Sequence, residues 1–206
     1  RDRFESRGLG DVYKRQDHLS SLDEILNGKI LLINKPKNWT SFDIVKKIKS
    51  IIKQKHNISK IKIGHAGTLD PLATGLLVIC TGKFTKKIAE IQEQKKTYIG
   101  ELILGKTTPS YDLETEFDAY FPTHHINKEM LIAASKSFIG KIDQIPPIYS
   151  ALKVKGERLY EKARRGEKIK ISSRKVEISS FVLTDISLPK IQFKIVCSKG
   201  TYIRSI

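Results

Sequence analysis

The amino-acid sequence predicts a domain of mixed α and β structure, and three patterns lead to this prediction. A short apolar run begins at Lys29, apolar residues recur at helical spacing after Thr40, and apolar and polar residues alternate from Ile191 to Cys197. The chain has 206 residues, 39% of them hydrophobic. This is enough for one core of useful size, so a single domain is the starting expectation.

The N-terminal half of the sequence supplies a strand and then a helix. Lys29 to Asn34 is predicted to be a strand that ends at a turn over residues 35–38. Thr40 or Ser41 can cap the helix that follows. One side of this helix is apolar and the other carries lysines, with Ile44, Val45, Ile48, Ile51 and Ile52 opposite Lys46, Lys47, Lys49 and Lys53. We expect the apolar side to enter the core.

The rest of the chain continues this mixture. Strands are predicted at residues 61–63, 76–80, 97–104 and 191–197, and helices at residues 84–92 and 130–138, the second closed by Gly140. Residues 1–28 are predicted to be an N-terminal tail. Within it, the charged and aperiodic residues 1–16 are typical of a tail or of sequence foreign to the protein. The domain is therefore expected over residues 29–206.

The formal charge of the chain is +16, from 38 basic and 22 acidic residues. Such an excess favours a polyanionic partner, and nucleic acid is the first candidate. A membrane surface is the competing target, but no apolar stretch reaches the roughly 18 residues that would span a bilayer. A lysine-rich surface with no specific partner is a third interpretation, which composition alone leaves open.

A basic segment after Pro147 supports the nucleic-acid hypothesis. Residues 150–170 are rich in lysine and arginine, and Tyr149 and Tyr160 are interleaved with them. Basic and aromatic side chains together suit RNA. The residues predicted to bind RNA are Lys153, Arg158, Arg164 and Arg165.

Cysteines and histidines give little support for a metal site or a disulfide. Cys80 and Cys197 are far apart in the sequence, which is typical of a protein of the reducing cytosol with buried thiols. His65 has no second histidine at ligand spacing, and the polar stretch around His124 and His125 is expected at the surface. We therefore expect no bound metal.

The most unusual segment is the glycine-rich loop over residues 64–71, which contains Asp70 directly before Pro71. A residue before proline is held in an extended conformation, and glycines at 64, 67 and 75 allow tight turns and a close approach by a large substrate. His65, between glycine and alanine, could project from this loop. An ordinary Asp-Pro turn is the alternative interpretation, because glycine, aspartate and proline are also the usual turn residues.

Residues 100–107, GELILGKT, match the pattern of a nucleotide phosphate-binding loop. Such a loop needs converging amides that lead into a helix. Here the central residues are typical of a strand, and Pro109 follows almost at once. We interpret the match as a coincidence.

Arg204 is predicted to continue the strand over residues 191–197. Tyr98 and Tyr202 also lie in apolar, strand-like runs, where burial is the ordinary interpretation. A buried guanidinium is costly unless a carboxylate pairs with it, and Asp70 is a candidate partner for Arg204.

Residues 64–78, GHAGTLDPLATGLLV, resemble the catalytic motif of the TruB-type pseudouridine-55 synthases. The resemblance extends to residues 31–45, 96–114, 145–166 and 198–206, and thus covers nearly all of the chain after Lys29. The continuation PLATG at residues 71–75 resembles the bacterial members. It favours stand-alone action on tRNA over the guide-RNA systems of archaeal and eukaryotic relatives.

The resemblance implies roles for five residues. Asp70 is the catalytic aspartate, Tyr98 lies against the target base, Arg204 pairs with Asp70, and His65 and Tyr202 contact the substrate. Isomerising uridine breaks the N1 glycosidic bond, turns the uracil over and joins C1′ to C5 without net redox change, so no cofactor is expected. Asp70 either attacks C1′ or transfers protons on a glycal-type route, and an adjacent Arg204 would keep its pKa low.

The resemblance also implies the substrate and the fold. The substrate is the T arm of tRNA, whose uridine at position 55 is flipped out while His65 fills the vacated space and residues 149–170 clamp the RNA. The fold is an α+β pseudouridine synthase domain with a mainly antiparallel central sheet flanked by helices, and a basic insertion at about residues 145–170. Family members continue beyond Ile206, so we expect a C-terminally incomplete catalytic domain. A cytoplasmic monomer without organic cofactor is expected.

Two other classes of function are considered at this point. A non-enzymatic tRNA-binding or RNA-folding module would share the basic surface but would not need Asp70, Tyr98 and Arg204. A nucleotide triphosphatase would require ATP or GTP binding that depends on Lys106.

Overall fold

The structure is a computed structural model that describes residues 21–154, 156–167 and 169–206. The prediction for residues 1–16 lies outside the described residues. Helices and strands are mixed, and every strand pair in the described part of the chain is antiparallel. The predicted α+β class with antiparallel sheets is confirmed.

The helices and strands follow one another irregularly along the chain. The α-helices are α1 (Leu22–Asn27), α2 (Ser41–His56), α3 (Ile88–Glu93), α4 (Lys128–Ser137) and α5 (Leu159–Arg164), and two 3₁₀ helices span Gly82–Lys87 and Ile203–Ser205. The longer strands are β1 (Ile30–Lys35), β2 (Ile63–His65), β3 (Gly75–Thr81), β4 (Lys96–Ile103), β7 (Gly140–Gln144), β10 (Arg174–Ser187) and β11 (Lys190–Cys197). Short two-residue strands are β5 (Lys106–Thr107), β6 (Ala119–Tyr120), β8 (Lys153–Val154) and β9 (Glu157–Arg158).

The chain divides into two compact units, the first ending at Glu93 and the second spanning Gln94–Ile206. The first unit contains a three-stranded sheet in the order β1-β3-β2. Helix α2 begins with a capping box in which Thr40 and Asp43 satisfy each other's backbone amides. Its apolar side is buried with the inner faces of β1 and β3, in a cluster that includes Ile33, Ile44, Val45, Ile48, Ile52, Leu77 and Ile79. The predicted capped, amphipathic helix is confirmed.

The second unit contains a four-stranded sheet in the order β4-β11-β10-β7. Phe181 and Phe193 pack edge to face in its core, with ring centroids 5.7 Å apart. The ring of Phe193 lies directly over Gly100 of the neighbouring strand. A Cβ atom at position 100 would come within 2.6 Å of the Phe193 Cζ atom, so a side chain there would clash with the ring. Cys80 in the first unit and Cys197 in the second are both fully buried, as predicted.

Several expectations from the sequence need correction. The buried apolar residues form two clusters, one in each unit, instead of one core. The helix predicted at residues 84–92 is a 3₁₀ helix followed by the short α3. Arg204 does not continue a strand, since β11 ends at Cys197 and Arg204 lies in the second 3₁₀ helix. Gly200, with a φ of 79°, turns the chain between them.

Strand β10, the longest strand among the described residues, is not predicted by the sequence pattern, because its alternation of apolar and polar residues changes phase. Register shifts interrupt its pairing with β11 between Ile178 and Ser180 and between Leu183 and Asp185. Each bulge adds a residue and moves the following side chains to the opposite face. The buried residues of β10 are therefore at positions 176, 178 and 181. The period-two alternation that would predict a strand is interrupted after position 178.

The phosphate-loop interpretation is excluded by the backbone. Gly100 to Ile103 lie within β4, and the lysine and threonine of the motif form the short strand β5 instead of the start of a helix. Gly105 makes the turn between them with a φ of 78°. In the described part of the chain, no helix is long and apolar enough to cross a membrane, and no cluster of metal-ligating side chains is found.

Candidate functional site

Asp70 lies in the loop that joins β2 to β3 in the first unit, where it is half-buried. The two strands pair along Ile63 to His65, and the amide of Ala66 adds a further hydrogen bond to the carbonyl of Val78, 2.8 Å away. On the other side of the loop, the amide of Ala73 donates to the carbonyl of Asp70 over 3.0 Å. The loop is thus closed at its base and turns tightly after the aspartate.

The residues on both sides of Asp70 are held by the segment that begins helix α2. The hydroxyl of Ser41 accepts a hydrogen bond from the amide of Leu69 at 2.9 Å and lies 3.3 Å from its carbonyl, to which it donates. The amide of Asn38 donates to the carbonyl of Pro71 at 2.8 Å. Together with the restriction that Pro71 places on its neighbour, these contacts fix the backbone that carries the carboxylate.

Lys35 is a functional candidate that the sequence pattern places only in a turn. It is the last residue of β1 and is fully buried. Its ammonium group donates to the carbonyls of Pro36, Trp39 and Pro71, at 2.9, 2.6 and 3.2 Å. Burial lowers the pKa of Lys35, and the nearby charge of Asp70 raises it in part. The buried ammonium of Lys35 therefore holds the aspartate loop through the carbonyl of Pro71. It also interacts electrostatically with Asp70.

His65 is the last residue of β2 instead of a free loop residue, and it is half-buried. Its Nδ1 atom makes a short contact with the carbonyl of Gly67. This contact holds the ring against the loop. His124 and His125 lie at the surface, as predicted, with their rings 5.7 Å apart.

In the second unit, Tyr98 lies on β4 opposite Ile195 of β11. It is half-buried and packs against the core cluster of this unit. Tyr202 and Arg204 follow β11 in the segment that leads into the second 3₁₀ helix. The structure therefore brings Tyr98, Tyr202 and Arg204 into one unit, with Asp70 and His65 in the other.

Arg204 is largely buried and makes several polar contacts within its own unit. Its guanidinium donates to the carbonyls of Ser110 at 2.8 Å and Tyr149 at 2.9 Å. It also forms an ion pair with Asp112, with Nη1 3.4 Å from Oδ2, and only 12% and 15% of the two side chains are exposed. Asp112 is therefore one carboxylate that accompanies this buried cation. The prediction that Arg204 pairs with Asp70 stays a prediction.

Asp112 is itself held in a network of loop side chains. Its Oδ1 atom accepts hydrogen bonds from the Ser110 hydroxyl at 2.6 Å and from the Glu114 amide at 3.0 Å. The Ser110 and Thr115 hydroxyls are 2.7 Å apart. The sequence alone predicts no role for Asp112, because its distance from Arg204 along the chain carries no signal of contact.

The four residues predicted to bind RNA are all exposed, but they differ in their surroundings. The guanidinium groups of Arg158 and Arg164 lie 5.9 and 5.6 Å from the centre of the Tyr160 ring. Arg165 is instead paired with two carboxylates, those of Glu157 at 2.9 Å and Glu167 at 2.6 Å. Lys162 pairs with the same two carboxylates, at 2.9 and 3.3 Å. These pairs lower the pKa of both glutamates and raise the pKa of both cations.

Residues 49–203 match the model of the TruB family pseudouridylate synthase, N-terminal domain. The chain belongs to the TruB family. Among curated proteins, it is similar to the tRNA pseudouridine synthase B of Flavobacterium johnsoniae, with 60% identity over 185 residues, covering 89% of this chain and 81% of the relative. The protein of the same name from Parabacteroides distasonis is 51% identical over 183 residues, covering 89% of this chain and 78% of the relative.

Solved structures support the fold of this TruB-family chain. A chain from the crystal structure of a Cbf5-Nop10-Gar1 complex matches with a TM-score of 0.59 and 24% identity, over 88% of this chain and 42% of that one. A chain from an H/ACA RNP bound to a substrate RNA matches with a TM-score of 0.57 and 22% identity, over 88% and 41%. At this level of identity the likeness concerns the fold.

Replacing Lys35 by methionine should destabilise the TruB-family chain by about 1–3 kcal/mol, because three carbonyls lose a buried donor. Lys37→Met is the matched control, since Lys37 is exposed and only two residues away, and it should change stability by less than about 0.5 kcal/mol. Urea unfolding measures both. Equal effects of the two variants would show that the buried ammonium does not support the loop.

The same pair of variants tests the titration of Lys35. Because burial places its pKa below the ordinary value of 10.5, the unfolded chain binds more protons between the two pKa values, and stability rises with pH there. The stability difference between the unmodified chain and Lys35→Met should therefore widen as the pH approaches 10.5 from below. Unfolding measured at several alkaline pH values checks this, and a constant difference would contradict it.

Asp112→Asn should also destabilise the chain, by about 1–3 kcal/mol, because the ion pair with Arg204 is mostly shielded from water. Asp118→Asn offers the same chemical change at an exposed aspartate of the same unit, and we expect a change below about 0.5 kcal/mol. Thermal and urea unfolding of both variants provide the comparison. The assigned role of Asp112 fails if the two variants are equally stable.

Proposed function

We propose that this chain isomerises uridine to pseudouridine in the T loop of tRNA, with Asp70 as the catalytic carboxylate. The observation that carries the proposal is the anchored loop: Leu69 and Pro71 are both tied to the start of helix α2, so Asp70 is presented on a rigid backbone. Membership of the TruB family and the names of the similar curated proteins support the reaction and the tRNA substrate.

The reaction needs a positioned carboxylate and no net exchange of atoms or electrons with a cofactor. The bond between N1 of uracil and C1′ of ribose breaks, the base turns, and a bond forms between C5 and C1′ while the proton on C5 is released and N1 gains one. Asp70 can serve as the nucleophile at C1′ or as the proton-transfer group. The roles implied for Tyr98, His65, Tyr202 and Arg204 belong to the same proposal.

Recognition of the T arm is proposed to depend on the basic segment of residues 149–170. The target uridine must leave the folded loop to reach the carboxylate, and this costs unstacking energy that contacts with the RNA have to offset. Exposed arginines supply such contacts through the phosphates. Within this segment, Arg158 and Arg164 lie beside an aromatic ring, which suits a contact with both phosphate and base.

Asp70→Asn should abolish pseudouridine formation while leaving tRNA binding intact. The amide keeps the shape of the side chain but cannot act as a nucleophile or a base, so the rate of release of the C5 hydrogen from labelled uridine in a T-arm stem-loop should fall by at least about a hundredfold. Asp118→Asn, at an exposed position of the chain, should retain the full rate. A protein that acts only as an RNA-folding module would release no C5 hydrogen even without a substitution, and that result, or an unchanged rate of release in Asp70→Asn, would overturn the proposal.

Arg158 and Arg164 should contribute more to tRNA affinity than Arg165. Arg165 is already paired with Glu157 and Glu167, so a phosphate would gain little net energy from it. Substitution of Arg158 and Arg164 together by glutamine should weaken binding and reduce the slope of log affinity against log salt by about one for each phosphate that is no longer neutralised. Arg165→Gln is the matched control and should leave the slope nearly unchanged. A larger effect of Arg165→Gln would contradict this ranking.

A further inference from the structure

Tyr202 lies beyond the last paired residue of β11, in a short segment that is held by side chains instead of by a strand partner. The hydroxyl of Thr201 donates to the carbonyl of Ser198 at 2.9 Å, which stabilises the turn before Tyr202. Two further side chains reach this segment from neighbouring strands of the same sheet. They are Gln144, the last residue of β7, and Arg174, the first residue of β10.

Gln144 binds the backbone of Tyr202 at two points. Its Nε2 atom donates to the carbonyl of Tyr202 at 2.9 Å, and its Oε1 atom accepts from the amide of the same residue at 2.8 Å. The side chain is buried, with 3% of its surface exposed. A buried side-chain amide that both donates to and accepts from one residue fixes the position and orientation of that residue's backbone. Breaking either hydrogen bond would leave a buried polar group unsatisfied.

Arg174 binds the ring of Tyr202 and the turn that precedes it. Its guanidinium carbon lies 4.5 Å from the centre of the ring, a cation–π contact. Its Nη2 atom also donates a short hydrogen bond to the carbonyl of Gly200. A planar guanidinium can make both contacts at once, whereas the compact ammonium of lysine cannot stack in the same way.

The two residues that hold Tyr202, Gln144 and Arg174, are a cross-strand pair. Arg174 and Gln144 stand directly opposite each other in the register of β10 and β7. One pair therefore controls both the backbone and the ring of Tyr202. We propose that Gln144 and Arg174 are positioning residues that set Tyr202 for its contact with the RNA substrate. The inference rests on the proposed function, which assigns Tyr202 to the substrate.

The main test replaces Gln144 by methionine, which keeps the length of the side chain and removes both hydrogen bonds. Misplacement of a substrate-contacting group lowers the rate without a comparable loss of affinity, so the single-turnover rate of pseudouridine formation should fall by about ten- to a hundredfold. The tRNA dissociation constant should change by less than about threefold. Gln192→Met, an exposed glutamine on β11, is the matched control and should retain the rate.

A second measurement separates positioning from a general loss of structure. In a Tyr202→Ala background, Gln144→Met should cause no further loss of rate, because the side chain that Gln144 positions is gone. A role confined to stability would instead lower the rate by the same factor in both backgrounds. If Gln144→Met does not fold, Arg174→Lys takes its place, and its loss of rate should likewise disappear in the Tyr202→Ala background.

The outcomes distinguish this inference from the proposed function. If the unmodified protein forms pseudouridine and both Gln144→Met and Arg174→Lys keep its rate, the positioning role is overturned and the proposed function stands. Additive losses in the Tyr202→Ala background also overturn the positioning role. If the unmodified protein forms no pseudouridine in a T-arm stem-loop or in whole tRNA, the proposed function fails, and the role given to Tyr202 fails with it.

Discussion

The structure depends first on the rigidity of the backbone around Asp70. A carboxylate on a mobile loop would be poorly positioned for any reaction. Here one hydroxyl, that of Ser41, binds both the amide and the carbonyl of Leu69, and the fully buried Lys35 binds the carbonyl of Pro71. The start of helix α2, the end of β1 and the loop therefore constrain one another. Asp70 is thereby attached to elements that pack in the core of the first unit.

In the second unit, the main constraint is the guanidinium of Arg204, which is largely shielded from solvent. Arg204 donates to two carbonyls and meets the carboxylate of Asp112, which is held by Ser110 and Glu114. A polar network of this kind costs free energy to bury, but it fixes the direction of the two Nη groups of Arg204. Both units thus place a buried basic group, Lys35 or Arg204, beside a carboxylate.

The sequence predicted the features that depend on local pattern. A signal within a few residues predicts the capped helix α2, the strands β1, β3, β4 and β11, and the glycine-rich loop around Asp70. The resemblance to the TruB family is confirmed by the match to the family model. The missed features depend on contacts between distant residues. The burial of Lys35, the ion pair of Asp112 and the two-point contact of Gln144 with Tyr202 join residues up to 92 positions apart. The cytoplasmic location and the monomeric state stay predictions.

The glycine at position 100 shows how a short letter pattern can arise without the chemistry that usually explains it. The ring of Phe193 occupies the space that any side chain there would need, and the glycine at position 105 serves a turn. Two of the invariant letters of a nucleotide-binding signature are therefore explained here by the packing of an aromatic ring and by the turn that joins β4 to β5. A match to these letters is therefore compatible with a backbone of strand, turn and strand, in which the lysine and threonine lie in a strand instead of at the start of a phosphate-binding helix.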